Sequence, residues 1–227
     1  MTAQWRLRRL ASRALKVLER NESASPAIAA FEGPMETSAR GYIKAYALAS
    51  GYEAKWRVEM AEGRGAMAEL KRELDVWKPH VARERPGFDL TSIADRPTVP
   101  EDLIEDALAL ADELDAVRDE RGRTVAWAAG GAKGIRAKAD TAEKETDEAA
   151  AADAKYSTLL AEVRNTAAVF QAELGRFRET LRGVLGSTHP DVVKLRTTRA
   201  GTTDVDDDPT APQPADPAAP APEPPAS

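Results

Sequence analysis

The sequence predicts an all-α protein, an elongated antiparallel bundle of three long helices with a shorter basic N-terminal helix and a short C-terminal helix, packed like a coiled coil. Three observations predict it. No proline falls between Met35 and Lys78 or between Pro100 and Pro190, so two long stretches lack the strongest helix breaker. Within them apolar residues recur at steps of four and three, as in Tyr156, Leu160, Val163, Ala167, Phe170, Leu174, Phe177, Leu181 and Val184. No alternating strand pattern is present anywhere.

Taken in order, the first element is an amphipathic helix from about Gln4 to Arg20, with Leu7, Leu10, Ala14, Val17 and Leu18 on one face. The first long helix starts near Pro34 and ends by Arg85, which precedes Pro86 and Gly87. Its seam runs Met35, Ala39, Tyr42, Tyr46, Ala49, Trp56, Met60, Met67, Leu70, Leu74, Trp77 and Val81, with Glu53 where an apolar side chain belongs. The next helix opens at "TVPEDLIE", where Thr98 and Glu101 form a capping box around a first-turn proline. Two places could turn this helix back: the glycines of "GGAKG" near 130, or the region of Thr146. Matching lengths favours the second, giving helices of about 101–145 and 148–185 with the glycines as a kink. A short last helix opens at "THPDVVKL" with Thr188, Pro190 and Asp191 and stops before Gly201. No internal repeat is convincing beyond an echo of "AEL" at 68 and 172.

The chain divides into a basic N-terminal helix (1–22), a long-helix bundle domain (23–200) and an acidic tail (201–227). Eight of the fifteen prolines lie in that tail, which holds almost nothing apolar larger than alanine and is expected to be disordered. The formal charge of −6 hides an asymmetry. The first 20 residues carry six basic side chains against Glu19, whereas 201–227 carry six acidic ones and no base. An acidic body does not suit a nucleic-acid backbone. Without cysteine there is no disulfide, thiol nucleophile or thiolate metal site. No apolar run approaches the 18 or so residues of a membrane span, and no signal-peptide core is present, so a cytoplasmic protein is expected. Arginine outnumbers lysine beside abundant alanine and proline, a usage that points to a GC-rich bacterial genome.

The candidate sites are few. Trp5, Arg6, Arg8, Arg9, Arg13 and Lys16 give the first helix the character of a surface-binding element for anionic membrane, granule or nucleic acid. If the first two long helices form a hairpin through 86–100, facing residues have numbers summing to about 186. That sets Glu53 against Lys133 and Arg136 as a register-setting ion pair. It also brings Trp56 and Met60 near Trp127 and leaves Asp153 as a second polar interruption. A bundle of three long helices places His80 and His189 at one end. Neither has a glutamate three residues before it, as a carboxylate-bridged metal pair requires. "GGAKGIR" lacks the strand that precedes a phosphate loop, and "DVDDDP" lacks the glycine and distal glutamate of a calcium loop. No nucleophile and base are arranged for catalysis. The sequence therefore reads as a non-enzymatic structural or protein-interaction module without cofactor or small-molecule substrate, self-associating or binding a protein partner.

Overall fold

A computed structural model describes residues 3–88, 90 and 100–195. Thr98 of the expected capping box and the acidic tail lie outside the described residues. The described residues are helical apart from connections, and the one β contact among them is an isolated bridge between Arg118 and Thr124. The elements are α1 (Ala3–Asn21), a 3-10 turn (Glu22–Ala24), α2 (Pro26–Ala29), α3 (Glu32–Glu84), α4 (Pro100–Asp115), α5 (Ala126–Leu185) and α6 (Pro190–Lys194).

The all-α bundle is as expected, but it has two long helices, α3 and α5, where three were expected. The turn lies neither near 130 nor near 146. It spans 116–125, where Gly122 takes φ +73° and the Asp119 carboxylate accepts hydrogen bonds from the backbone N–H groups of Arg121 and Arg123 at 2.9 and 2.8 Å. Helix α5 then runs unbroken for 60 residues, about 90 Å. It passes straight through 144–149, where Ala149 packs beside Gly63 of α3 and the flanking Ala142 and Ala152 are also buried. Helix α6 is capped by His189 rather than by Thr188, its Nδ1 accepting from the Asp191 N–H at 3.2 Å.

α3 and α5 pack antiparallel with facing numbers summing to about 210. Tyr42 stacks on Phe170 (6.1 Å), Trp56 on Tyr156 (4.8 Å) and Trp77 on Trp127 (6.2 Å). A third helix joins the pair at each end. Near the start of α3, helix α1 completes one core with Leu10, Ala11, Ala14, Val17 and Leu18. Near the start of α5, helix α4 completes another with Leu103, Ala107, Leu110, Ala111 and Leu114. Since α4 turns back onto α5 through a short hairpin, it runs parallel to α3. That is why the register derived from an α3–α4 hairpin fails.

These two ends are copies of one design at a spacing of 100 residues. Leu10 and Leu110, Ala11 and Ala111, Val17 and Val117, Met35 and Ile135, Ala39 and Ala139, Leu74 and Leu174, and Val81 and Leu181 are all buried. "AKWRVEMAEGR" at 54–64 answers "AKYSTLLAEVR" at 154–164, with five identities in eleven. Each half is a short helix, a turn and a long helix, and an approximate twofold axis through the Trp56–Tyr156 stack exchanges them. The chain therefore does contain an internal repeat. The "AEL" echo, spaced by 104, is out of step with it.

Candidate interaction surface

The predicted Glu53 pairing does not form. Glu53 bonds its own-helix neighbour Arg57 at 2.5 Å and lies beside Tyr156, some 20 residues and about 30 Å along α5 from Arg136. Arg136 instead ties α5 to α4 through Asp112 (2.8 Å) and Asp115. Its guanidinium is held above its ordinary pKa first by the hydrogen bond to Asp112 and then by that to Asp115. Lys133 is exposed. The polar contact at the centre of the seam is made by Asp153, which accepts a hydrogen bond from the Trp56 indole N–H at 2.9 Å. Glu53 is the counterpart of Asp153 in the other half, and Tyr156 that of Trp56. The two acidic interruptions thus occupy one repeated position beside the axis. Burial, with Glu53 adding to it, pushes the Tyr156 hydroxyl pKa up.

The basic face of α1 is partly engaged. Arg9 lies over the Trp5 ring at 4.9 Å and Arg8 over the Tyr46 ring at 5.7 Å, while Arg6 and Lys16 are exposed and Arg13 is half-buried. The apolar face is committed to the core, where Tyr42 also donates from its hydroxyl to the Gln4 carbonyl at 2.7 Å. Burial, with Tyr46 adding to it, drives the Tyr42 pKa up to about 12.

His80 and His189 stand at opposite ends, because the helices that carry them run antiparallel. His189 belongs to a cluster that fastens α6 to α1. There buried Asp191 accepts from Asn21 Nδ2 at 3.0 Å, and Arg20 and Lys194 approach to 3.7 and 3.6 Å. The Asn21 hydrogen bond is the first cause of a lowered Asp191 pKa. His80 instead sits 5.3 and 5.7 Å from the rings of Trp77 and Trp127. Among the described residues no group of three or more histidine or carboxylate side chains is arranged to hold a metal ion, and no helix is long and apolar enough to cross a membrane.

What the structure assembles instead is a surface. At 100° per residue, Tyr42 and Tyr46 of α3 and their counterparts 142 and 146 of α5 lie on one side of the α3–α5 pair, the side that α1 and α4 cover. The opposite side carries Tyr52 with Lys155 above its ring at 4.8 Å, the Glu69–Lys138 ion pair, and Glu73 accepting from the Trp77 indole at 2.8 Å. No helix among the described residues lies over it. At one end of this bare side Trp127, 39% exposed, stacks on Trp77 with the rings within 5° of parallel. Gly131 makes that possible, since a Cβ there would stand 2.8 Å from the Trp77 ring. Midway, where neither α1 nor α4 reaches, Tyr52, Trp56, Met60 and Tyr156 remain only half-buried, whereas Tyr42, Leu70, Leu74, Phe170 and Phe177 nearer the ends are buried.

Sequence reasoning missed this side because it expected a third long helix to cover it. The signal that could have found it is the repeat at 100 residues, which places α1 and α4 symmetrically and hence on the same side. No protein-family model, curated protein or solved structure matches the chain.

Proposed function

We propose that this is a non-enzymatic helical-bundle protein that acts as a structural or protein-interaction module through the uncovered side of the α3–α5 pair. The observation that carries the reading is a long helical surface that no third helix among the described residues covers, with aromatic side chains at its end and centre. Half-buried tryptophan and tyrosine are the side chains that anchor protein interfaces, because a partner can desolvate a large area at little cost in side-chain entropy. No described residue on that side juxtaposes a nucleophile with a base, which supports a binding role over a catalytic one. The absence of cysteine and the arginine-rich composition support the cytoplasm of a GC-rich bacterium as its setting. Docking on an anionic surface through residues 1–22 has less support, because Leu7, Leu10, Ala14, Val17 and Leu18 are packed inward and only the cationic edge of α1 remains to be offered.

A photo-crosslinking residue placed at Leu48 or Trp127 in the full chain, and at Leu108 on α4 as a control, tests the reading in the native cell. Adducts of defined mass are expected from positions 48 and 127 and not from 108. Their absence from both would overturn it.

A further inference from the structure

Resting on that reading, we propose that the occupant of the uncovered side is a second copy of this chain, packed antiparallel along α3 about a twofold axis beside Val58 and Glu59. The repeat points to it. Within the two long helices, the charged residues of α3 that recur unchanged 100 positions on in α5 are Lys44, Lys55, Glu62, Arg64 and Glu73, matched by Lys144, Lys155, Glu162, Arg164 and Glu173. Four of the five fall on one stripe. Successive separations of 11, 7 and 11 residues return to nearly the same helical angle, so Lys44, Lys55, Glu62 and Glu73 line up along the bare side of α3.

Local contacts do not account for their retention, because the local partner differs between the halves. Lys55 reaches Glu59 at 3.9 Å, whereas Lys155 lies over Tyr52. Glu73 accepts from Trp77, whereas Glu173 pairs with Arg176. Lys144 pairs with Glu145 and Glu148, whereas Lys44 has no ion pair among the described residues. Neither Glu62 nor Glu162 has one either.

The order Lys, Lys, Glu, Glu is complementary to its own reverse. Position numbers that sum to 117 bring Lys55 against Glu62 of the second copy and Lys44 against Glu73 of the second copy, and each pair occurs twice. The 44–73 segment spans about 44 Å. Between the charges stand Leu48 at 49% and Val58 at 53% exposure, and Gly51, where a Cβ would meet nothing, falls opposite Ala66 of the second copy. Charge also selects α3 over α5 as the helix that pairs with itself. Residues 44–73 hold six cations and five anions, a net +1, whereas 144–173 hold three cations and six anions, a net −3 that repels its own copy.

Sedimentation equilibrium of the full chain tests this. At 0.15 M salt the wild type is expected at twice the 24.5 kDa of one chain, with dissociation promoted at 0.5 M. Lys55→Glu and Glu62→Lys singly oppose like charges twice and should weaken the dimer by on the order of tenfold or more. The double variant restores opposite charges and should restore the dimer, and the matching swaps at Lys155 and Glu162 should leave it unchanged. Circular dichroism confirms that each variant is folded. A wild type that is monomeric throughout, single variants that stay dimeric, or a double variant that fails to recover would each overturn the proposal. If the wild type is monomeric while the photo-crosslinker at position 48 captures a different protein, the interaction reading stands and the second copy falls; if it captures nothing at 48 or 127, both fall.

Discussion

The α1 end and the α4 end bury many of the same positions, and at several of them the larger side chain is moved to the opposite partner. At the α1 end the short helix contributes Ala14 beside Leu10, Val17 and Leu18, and the long helices supply Tyr42, Phe170 and Phe177. At the α4 end the short helix contributes Leu103, Leu110 and Leu114, and α5 supplies Ala128, Ala132, Ala139 and Ala142. Ala14 answers Leu114, and Tyr42 answers Ala142. A similar exchange occurs one layer out, where Phe31 meets Phe177 in a tilted ring contact at 5.4 Å while their counterparts are Gly131 and the larger Trp77. The comparison teaches that the backbone arrangement is kept by the sum of volumes across each contact rather than by residue identity, as close packing requires.

The largest effects should come from emptying the bulkier side of each contact. Phe170→Ala and Phe177→Ala should each cost about 3–5 kcal/mol, and Leu174→Ala about 2–5 kcal/mol, in urea unfolding followed by circular dichroism. Leu114→Ala at the other end should match the leucine value, whereas a substitution at exposed Lys155 should cost little. Equal and small losses at 170 and 114 would break the volume argument.

Gly131→Ala comes next, because the added methyl meets the Trp77 ring at 2.8–2.9 Å. It should destabilise by about 1–3 kcal/mol. Gly130→Ala, with open space around it, should gain up to about 1 kcal/mol from helix propensity. Combining Gly131→Ala with Trp77→Phe should recover much of the loss, since it moves this contact toward its counterpart.

How much of this was legible follows from the same residues. Helix α3 was readable to within two residues at either end, because Pro34, Pro86 and a seam of apolar steps mark it independently of tertiary structure. Helices α4 and α5 were not. The hairpin between them is made by "RDERGRT", whose single glycine and charged side chains suit a solvated helix as well as a turn, while the glycines near 130 that look like a loop are helical. Gly131 serves a contact with Trp77, and nothing local encodes that. The site suffered from the same error. Glu53 was recognisable as an interruption of the seam, but its surroundings depend on which helix lies opposite, and that was inferred from the misplaced turn.

The two ends also differ in what they titrate. Tyr42 is buried with its pKa raised to about 12, so the native state holds the proton more tightly than the unfolded chain. Its contribution is fully present below pH 10 and is lost as pH rises from 10 toward 12. Tyr42→Phe should flatten that part of the alkaline stability curve, whereas position 142, an alanine, has no equivalent. At the acid limit Asp191, lowered by its Asn21 hydrogen bond, contributes stability above its unfolded pKa of 3.8 that is lost as pH falls through its lower folded value. Asp191→Asn should remove that dependence. A Tyr42→Phe variant with an unchanged alkaline slope would show that the ring is not sequestered as described.

The smallest effects should separate the two acids beside the axis. Asp153 accepts the Trp56 indole N–H across the α3–α5 seam, so Asp153→Ala leaves that donor without its partner and should cost about 1 kcal/mol. Glu53, the residue at the equivalent position, spends its carboxylate on Arg57 one turn along the same helix. An exposed pair of that kind is worth only a few tenths of a kcal/mol. Glu53→Leu should therefore leave the chain folded and its stability within about 0.5 kcal/mol of the wild type. It should leave the α3–α5 register unchanged too, as read by a spin-label distance between positions 48 and 169, which are exposed on α3 and α5. The tryptophan and tyrosine at 56 and 156 explain the asymmetry. An indole N–H only donates and needs an acceptor, whereas a phenol can satisfy itself with water. Trp56→Tyr should consequently shrink the cost of Asp153→Ala toward that of Glu53→Leu, and a cost at 153 that persists in the Trp56→Tyr background would show that the carboxylate acts through something other than the indole.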